Sequence, residues 1–228
     1  HRGQAGDYDD WAAAGNDGWS YSEIAAMFDG IETAPDGTSA APHMQVSDTS
    51  ADHHDLCRSF ADICREAQLP CSDVPLREGD GVGAYLATTR NGRRCSSAAA
   101  FLRPAMRRAN LTVVTGAQVT SIGFHGTRAS SVRYRHRGAD HEAHAHGEIL
   151  LTAGAVGSPQ LLQLSGVGDA AHLRGLGIGV VHDQPEVGRH LQDHYGINYI
   201  FKSTRRTLND VFGHWPGRIL AGMHYVAR

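Results

Sequence analysis

The fold is decided by residues 148–168, which read EILLTAGAVGSPQLLQLSGVG. The apolar run at 148–153 ends at Gly154 and predicts a short strand that is buried on both faces of a parallel sheet. A helix is predicted to follow, because Ser158 suits an N-cap and Pro159 suits a first helical position, where no N–H is needed. The stretch therefore indicates a strand, a turn and a helix of the α/β class.

The turn in this stretch contains two glycines, Gly154 and Gly157. Neither has a Cβ, so a ligand or another backbone can come close to the turn. Leu161, Leu162 and Leu164 are predicted to point inward from the helix, which ends at 165–166. Open α/β sheets bind nucleotides at the carboxyl ends of their strands, so the turn is a candidate nucleotide site.

The composition is that of a soluble globular protein. Of the 228 residues, 41% are hydrophobic and 20% are charged, which predicts one large domain or two small ones. A formal net charge of -3 disfavours a broad basic surface for nucleic acid. We find no apolar run that is long enough to span a bilayer and no signal-peptide pattern, so a cytoplasmic location is expected.

Two groups of side chains raise the question of a metal site. The cysteines stand at 57, 64, 71 and 95, which fits neither paired zinc knuckles nor a disulfide framework, and small buried thiols are the favoured interpretation. His136, His141, Glu142, His144 and His146 form a second group, without the HExxH spacing of a helical zinc site. An exposed polar strand edge is favoured there, and a His-rich metal-binding module is the alternative.

The remaining pattern predicts short elements of mixed type. Ser20 followed by Glu23 is a capping box, and Asn91-Gly92 is a hairpin turn. Other helices are predicted at 7–15, 52–68, 96–108 and 170–176, the last capped by Asp169, and a loop at 33–52. Strands are predicted at 82–86, 111–114, 178–181 and 197–202, and an antiparallel meander at 119–124, 129–134 and 141–146.

At this point several motifs resemble a known family. They are Arg2-Gly3 with Asp7-Tyr8 and Trp11, Gly18-Trp19-Ser20-Tyr21, Gly92-Arg93-Arg94-Cys95-Ser96-Ser97, Asn110-Leu111-Thr112-Val113, Gly154-Ala155 with Ser158-Pro159, Ser165-Gly166-Val167-Gly168, Val187-Gly188 and Leu191-Gln192-Asp193-His194. In this order they are similar to the glucose-methanol-choline (GMC) oxidoreductases, of the choline-dehydrogenase-like kind, which use FAD to oxidise alcohols.

The resemblance implies a mixed α/β fold with two interleaved parts. Residues 109–194 would form part of a Rossmann-like FAD-binding domain that carries the antiparallel meander. Residues 81–108 and 195–228 would be parts of an antiparallel-sheet substrate domain, and residues 1–80 a mostly helical segment between the two lobes.

The resemblance also implies three cofactor-binding residues. In Ala117-Gln118-Val119 the backbone N–H and C=O of Val119 would meet the adenine edge of FAD, while Ala153 and Gly154 would lie beside the adenosine half. The alternatives are that Val119 is a core residue of the meander and that Ala153 and Gly154 form only a tight turn.

The departures from the family pattern concern the pyrophosphate and the chemistry. No GxGxxG turn is present, and the glycine-rich runs at 79–83 and 175–179 lack its spacing. The family's catalytic His segment is not matched, so no catalytic residue is assigned. His194, beside Asp193, is an alternative for which a structural role is favoured.

From these departures the chain is expected to be a middle section of a longer enzyme. It is expected to be catalytically silent and to bind FAD weakly or not at all. The alternative is a truncated, non-catalytic remnant that serves as an interaction protein, with a partner covering its exposed sheet edges.

Overall fold

A computed structural model describes residues 2–33, 44–72 and 81–227. The chain divides into two compact units, one of residues 1–111 with 200–228 and one of residues 112–199. The expected mixed α/β content is confirmed. Half of the loop predicted at 33–52, namely residues 34–43, and the first two residues of the glycine run at 79–83 lie outside the described residues.

Local capping signals explain the helices of the first unit. Ser20 and Glu23 form the predicted capping box, and Gly15 follows the first helix with a φ of +96°. The ring nitrogen of His54 caps the third helix by accepting the N–H of Leu56. The helices are α1 (Ala5–Ala13), α2 (Tyr21–Ile31), α3 (Asp55–Glu66) and α4 (Arg103–Ala105), preceded by a π-helical turn at Ala98–Leu102, and α7 (Leu208–Phe212) and α8 (Trp215–Ala227); a 3₁₀ turn covers Ser50–Asp52.

The strands of the first unit are short pairs. They are β1 (Glu32–Thr33), parallel to β2 (Met44–Gln45); β3 (Ser47–Asp48), antiparallel to β6 (Leu86–Ala87); β4 (Cys71–Ser72), parallel to β5 (Val82–Gly83); and β7 (Thr89–Arg90), antiparallel to β8 (Arg93–Arg94). The last pair is the predicted hairpin, and Asn91 and Gly92 both have the positive φ of a type I′ turn. The strand predicted at 82–86 is thus split between β5 and β6.

The second unit is built on the predicted meander. Its strands β9 (Ala117–His125), β10 (Arg128–His136) and β11 (Ala139–His144) form an antiparallel sheet in the order β11-β10-β9. Gly126 and Gly138 make the two turns with positive φ. Because β9 is an edge strand, one side of its backbone faces the elements that follow the sheet.

Two helices and one short strand pair complete the second unit. They are α5 (Gly154–Leu164), α6 (Ala170–Gly175) and the parallel pair of β12 (Val167–Gly168) with β13 (His182–Asp183). Asp169 caps α6 as predicted, by accepting the N–H of His172. Gly166 ends α5 with a φ of +90°.

The start of α5 was predicted wrongly. The helix begins at Gly154 with Ala153 as its N-cap residue, and Pro159 lies inside it. The hydroxyl of Ser158 accepts the N–H of Ala153 and so bridges the helix start from within the first turns. A glycine with a φ of +85° lets the chain enter the helix five residues earlier than the Ser-Pro signal indicates.

Four of the predicted strands are not formed in the described residues. Residues 111–114, 149–153, 178–181 and 197–202 carry no strand, although all of them are described. A strand needs a neighbour that bonds its backbone, and the apolar runs at 111–114 and 149–153 have none among the described residues. Leu150, predicted to be buried, is 81% exposed.

The cysteines behave only partly as predicted. Cys64 and Cys95 are buried and Cys71 is half-buried, but Cys57 is exposed on α3, and the four form no disulfide. No described helix combines the length and apolar character needed to cross a membrane.

Candidate functional site

A groove of about 480 Å³ lies between the edge strand β9 and the first turns of α5. Its lining joins residues that are far apart in the sequence: Gln118, Val119, Thr120, Ala153, Gly157, Gln160, Leu161 and Leu164. The structure therefore brings Val119 and Ala153 together at one cavity. Gly154 adjoins Ala153 at the start of the helix.

The hydroxyl of Ser165 holds the two walls of the groove together. It accepts the N–H of Ile122 on β9 at 2.8 Å and donates to the carbonyl of Leu161 on α5 at 2.6 Å. Both Ser165 and Ile122 are buried. A buried backbone N–H on a sheet edge needs an acceptor, and Ser165 takes the place that a neighbouring strand would have.

A β-bulge in β9 decides which backbone groups face the groove. Ser121 lies opposite Arg133 and Val119 opposite Tyr134, so Thr120 is the extra residue. Backbone groups of an antiparallel strand alternate between facing the partner strand and facing away, and Ile122 faces away toward Ser165. Ser121, next to Ile122, therefore faces β10. Because Thr120 is the extra residue, the next residue in the alternation is Val119, whose backbone N–H and C=O also face away from β10.

The polar groups of the groove are the carboxamides of Gln118 and Gln160, the backbone of β9 and the hydroxyl of Thr120, which donates to the carbonyl of Arg133 at 3.2 Å. The Nε2 of Gln118 donates to the carbonyl oxygen of Val119 at 3.3 Å. The side chain of Gln160 is exposed and makes no hydrogen bond to a described residue. None of the lining residues is charged, so the groove suits a neutral ring with hydrogen-bonding edges.

Ala153 forms an exposed corner of the groove, and Gly154 follows it as the first residue of α5. The N–H of Ala153 is bound by Ser158 at 3.1 Å. A Cβ added at Gly154 would meet no atom within 4 Å, so this glycine is required by its φ of +85° and leaves open space beside it. The methyl group of Ala153 lies 3.3 Å from the position that a Cβ on Gly157 would take, which keeps this turn small.

The loop that follows the groove is fixed to α5 and α6. The Nε2 of Gln163 donates to the carbonyl of Val187 at 2.9 Å, and Arg189 lies 3.4 Å from the carboxylate of Asp169. The backbone N–H of His172, bonded to that carboxylate, is the main cause that lowers the pKa of Asp169 below its usual 3.8.

The structure forms no catalytic site around His194 and no metal site around the histidines of the meander in the part of the chain that it describes. The carboxylate of Asp193 accepts the backbone N–H of His194 at 2.8 Å, and the imidazole is exposed. On the meander, all of β11 is exposed, and His141 stacks on Tyr134 with centroids 5.3 Å apart. Among the residues that the structure describes, no group of three or more His, Cys, Asp or Glu side chains is arranged to hold a metal ion.

Sequence reasoning missed the polar lining of the groove and its pin. In the sequence Gln118 is only the middle residue of Ala117-Gln118-Val119, Gln160 belongs to no motif, and Ser165 indicates a helix end. A hydroxyl at the end of α5, aimed at an edge strand with an unpaired N–H, could be recognised only once the strand order was known.

Comparison with known proteins identifies relatives of this chain. Residues 1–196 match the family model described as GMC oxidoreductase. The chain is 37% identical over 214 residues to an alcohol dehydrogenase [acceptor] of Pseudomonas putida, which covers 90% of this chain and 39% of that protein. It is 37% identical over 212 residues to the mitochondrial choline dehydrogenase of Homo sapiens, with coverage of 91% and 35%.

Solved structures agree with these relatives. The pyridoxine 4-oxidase from Mesorbium loti superposes with a TM-score of 0.70 at 31% identity, covering 81% of this chain and 38% of that one. An FAD-dependent oxidoreductase from Chaetomium thermophilum gives a TM-score of 0.70 at 26% identity, covering 80% and 35%. The chain thus spans between 35% and 39% of the length of each of these four proteins. The family expected from the motifs is confirmed, and the chain belongs to the GMC oxidoreductases.

Proposed function

We propose that this chain supplies the adenosine side of the FAD site of an enzyme that oxidises an alcohol. The observation that carries the proposal is the groove between β9 and α5, where Val119 and Ala153 meet. The family is FAD-dependent, and two relatives are named as alcohol and choline dehydrogenases, which supports FAD as the cofactor and an alcohol as the substrate.

The residues present fit one end of FAD. Leu161 and Leu164 offer apolar surface to a flat ring, while the edge backbone of β9 offers hydrogen bonds to its rim. The open space beside Gly154 leaves room for the ribose. Where it is bound, FAD supplies an acceptor for the hydride of the alcohol.

The pyrophosphate of FAD has no matching glycine-rich turn in this sequence. A dinucleotide pyrophosphate is typically held by a glycine-rich turn at a helix N-terminus, and the chain contains no GxGxxG. We therefore infer that the chain alone is catalytically silent and holds FAD only through its adenosine end.

The domain assignment belongs to the same proposal. Residues 109–194 are assigned to a Rossmann-like FAD-binding domain, residues 81–108 and 195–228 to an antiparallel-sheet substrate domain, and residues 1–80 to the segment between the lobes. The division of the chain at 112 and 199 supports this assignment.

Binding of partial cofactors tests the proposal. AMP, FMN and FAD are titrated into the purified chain by isothermal titration calorimetry, and the bound site is mapped from amide NMR shifts. We expect AMP to perturb the amides of Val119 and Gly154, FAD to bind about as well as AMP, and FMN not to bind at this groove.

A charged substitution that blocks the groove is compared with the same substitution at a control position. Ala153→Arg fills the corner of the groove and is expected to abolish AMP binding, whereas Ala143→Arg places the same side chain on the exposed strand β11 and is expected to leave binding unchanged. Binding of FMN without AMP contradicts the adenosine assignment. FAD that copurifies in a 1:1 ratio contradicts the weak binding.

A second candidate is a non-catalytic interaction protein, favoured by exposed apolar side chains. Tyr195 and Ile200 are each 94% exposed, and Leu150 is 81% exposed. Unpaired apolar segments of this kind typically mark surfaces that another chain covers. Sedimentation of the chain and of Leu150→Lys tests it: a concentration-dependent complex that the substitution disperses favours this candidate, and a monomer at all concentrations argues against it.

A further inference from the structure

The groove contains a hydrogen bond within the chain that competes with any ligand. The carbonyl of Val119 faces away from β10 because of the bulge at Thr120, and it is the backbone acceptor that this strand edge offers to the groove. In the structure it already accepts from the Nε2 of Gln118, its neighbour in the sequence.

A ring that bonds this strand edge has to replace that side chain. In the pose that brings the 6-substituent of a purine to the carbonyl of Val119, a 6-amino group can donate to it, whereas a 6-oxo group is an acceptor itself. The exposed carboxamide of Gln118 can swing into solvent when an amino group takes its place, whereas a ring without a donor leaves it bonded.

We propose that Gln118 limits the affinity of the groove for rings that carry an amino group, because its carboxamide occupies the Val119 carbonyl and has to be displaced before such a ring can bond there. This inference rests on the proposed adenosine site. It adds a competition, made by one side chain, that lowers the preference of the groove for a 6-amino over a 6-oxo purine.

The size of the effect follows from the lost competition. An exposed neutral hydrogen bond contributes at the lower end of the usual range, so removing it raises the affinity for an amino purine by about threefold. The affinity for a 6-oxo purine in the same pose does not rise, because its 6-oxygen has no hydrogen to donate to the carbonyl that Gln118 releases.

The test compares AMP with IMP on three forms of the chain. Dissociation constants are measured by calorimetry for the unmodified chain, Gln118→Leu and the matched control Gln160→Leu, which removes the same group from the same groove without freeing the Val119 carbonyl. We expect Gln118→Leu to bind AMP about threefold more tightly and IMP unchanged, and Gln160→Leu to show no gain for either nucleotide. Gln118→Met serves as a second variant, and unchanged amide protection of Ile122 shows that the groove is intact.

Each other outcome overturns the inference. If Gln118→Leu binds AMP equally or less well, or if the gain also appears with IMP or in Gln160→Leu, the side chain does not guard the carbonyl. These results leave the adenosine site standing. If AMP fails to shift the Val119 amide in the unmodified chain, the proposed function fails together with this inference.

Discussion

Replacing Ser165 by alanine tests the hydrogen bonds by which its hydroxyl joins β9 to α5. The substitution removes the acceptor of the Ile122 N–H, a residue that is only 7% exposed, and leaves this donor unsatisfied. An unpaired buried donor costs about 1–3 kcal/mol. The carbonyl of Leu161 keeps its bond from the backbone N–H of Ser165 at 3.1 Å, so little is lost on that side. We expect the second unit to lose about 2 kcal/mol of unfolding free energy, which is about a 30-fold change in an equilibrium constant.

Amide hydrogen exchange is the suitable assay, because the tryptophans at 11, 19 and 215 all belong to the first unit and do not report on the second. Protection of the Ile122 amide is expected to fall by about 30-fold in Ser165→Ala.

The matched control is Ser130→Ala, which removes a hydroxyl that donates to the carbonyl of Gly123 and leaves no donor unpaired. It is expected to change protection by less than about threefold. Equal effects of the two substitutions, or an unchanged Ile122 amide in Ser165→Ala, refute the role of Ser165 as the acceptor that completes the edge of β9.

Three further predictions concern the same unit. Gly166→Ala is expected to lower the unfolding free energy of the second unit by about 2 kcal/mol or more, measured by thermal unfolding followed by circular dichroism. Alanine would have to keep the φ of +90°, which is strained for any residue with a Cβ, and this Cβ would meet the carbonyl of Gly179. The lowered pKa of Asp169 contributes stability that is complete above its usual 3.8 and is lost as the pH falls below that value. Asp169→Asn is therefore expected to flatten the acid limb of the denaturation profile. The hydroxyl of Ser131 lowers the pKa of Glu142, so Ser131→Ala is expected to raise that pKa toward 4.5 in an NMR titration.

Two of these predictions have a matched control variant, and the third has an outcome that would contradict it. Gly175→Ala adds a Cβ in open space near the end of α6, so a loss as large as that of Gly166→Ala contradicts the steric argument. An acid limb that stays equally steep in Asp169→Asn excludes Asp169 as a cause. Arg133→Gln removes a weaker influence on Glu142, and a larger pKa change there than in Ser131→Ala would contradict the order of causes.

Elements whose signal is local were predictable from the sequence. The capping box at Ser20, the cap at Asp169 and the turn at Asn91-Gly92 act within four residues, and the structure confirms all three. The meander follows from alternation and from glycines at its turns. A similar signal was overlooked at Thr207, three residues before Asp210, where a capping box starts α7.

Elements that depend on a distant partner were not predictable in this way. The apolar runs at 111–114 and 149–153 have the composition of strands, yet a strand exists only beside a neighbour that bonds it. The start of α5 was decided by the positive φ of Gly154, which competes with the Ser158-Pro159 signal.

Two residues of the groove were predictable from the sequence, but its polar lining and its chemistry were not. The family resemblance drew attention to Val119, Ala153 and Gly154, and the structure brings the first two together; their role in binding FAD remains a prediction. The competition by Gln118 requires a bulge in β9, and the register of a strand pair is not written in either strand alone.

The division of the chain has a consequence for its synthesis. The second unit is one continuous segment, whereas the first is interrupted by it and is joined by the bonds of Arg205 to Ser59 and of Tyr225 to Gly92. On a ribosome that adds 5–20 residues per second, the first segment waits roughly 4–18 seconds for its complement while the second unit is made. The interrupted unit therefore cannot be completed before residues 200–228 are made, whereas all residues of the continuous unit are available as soon as it emerges.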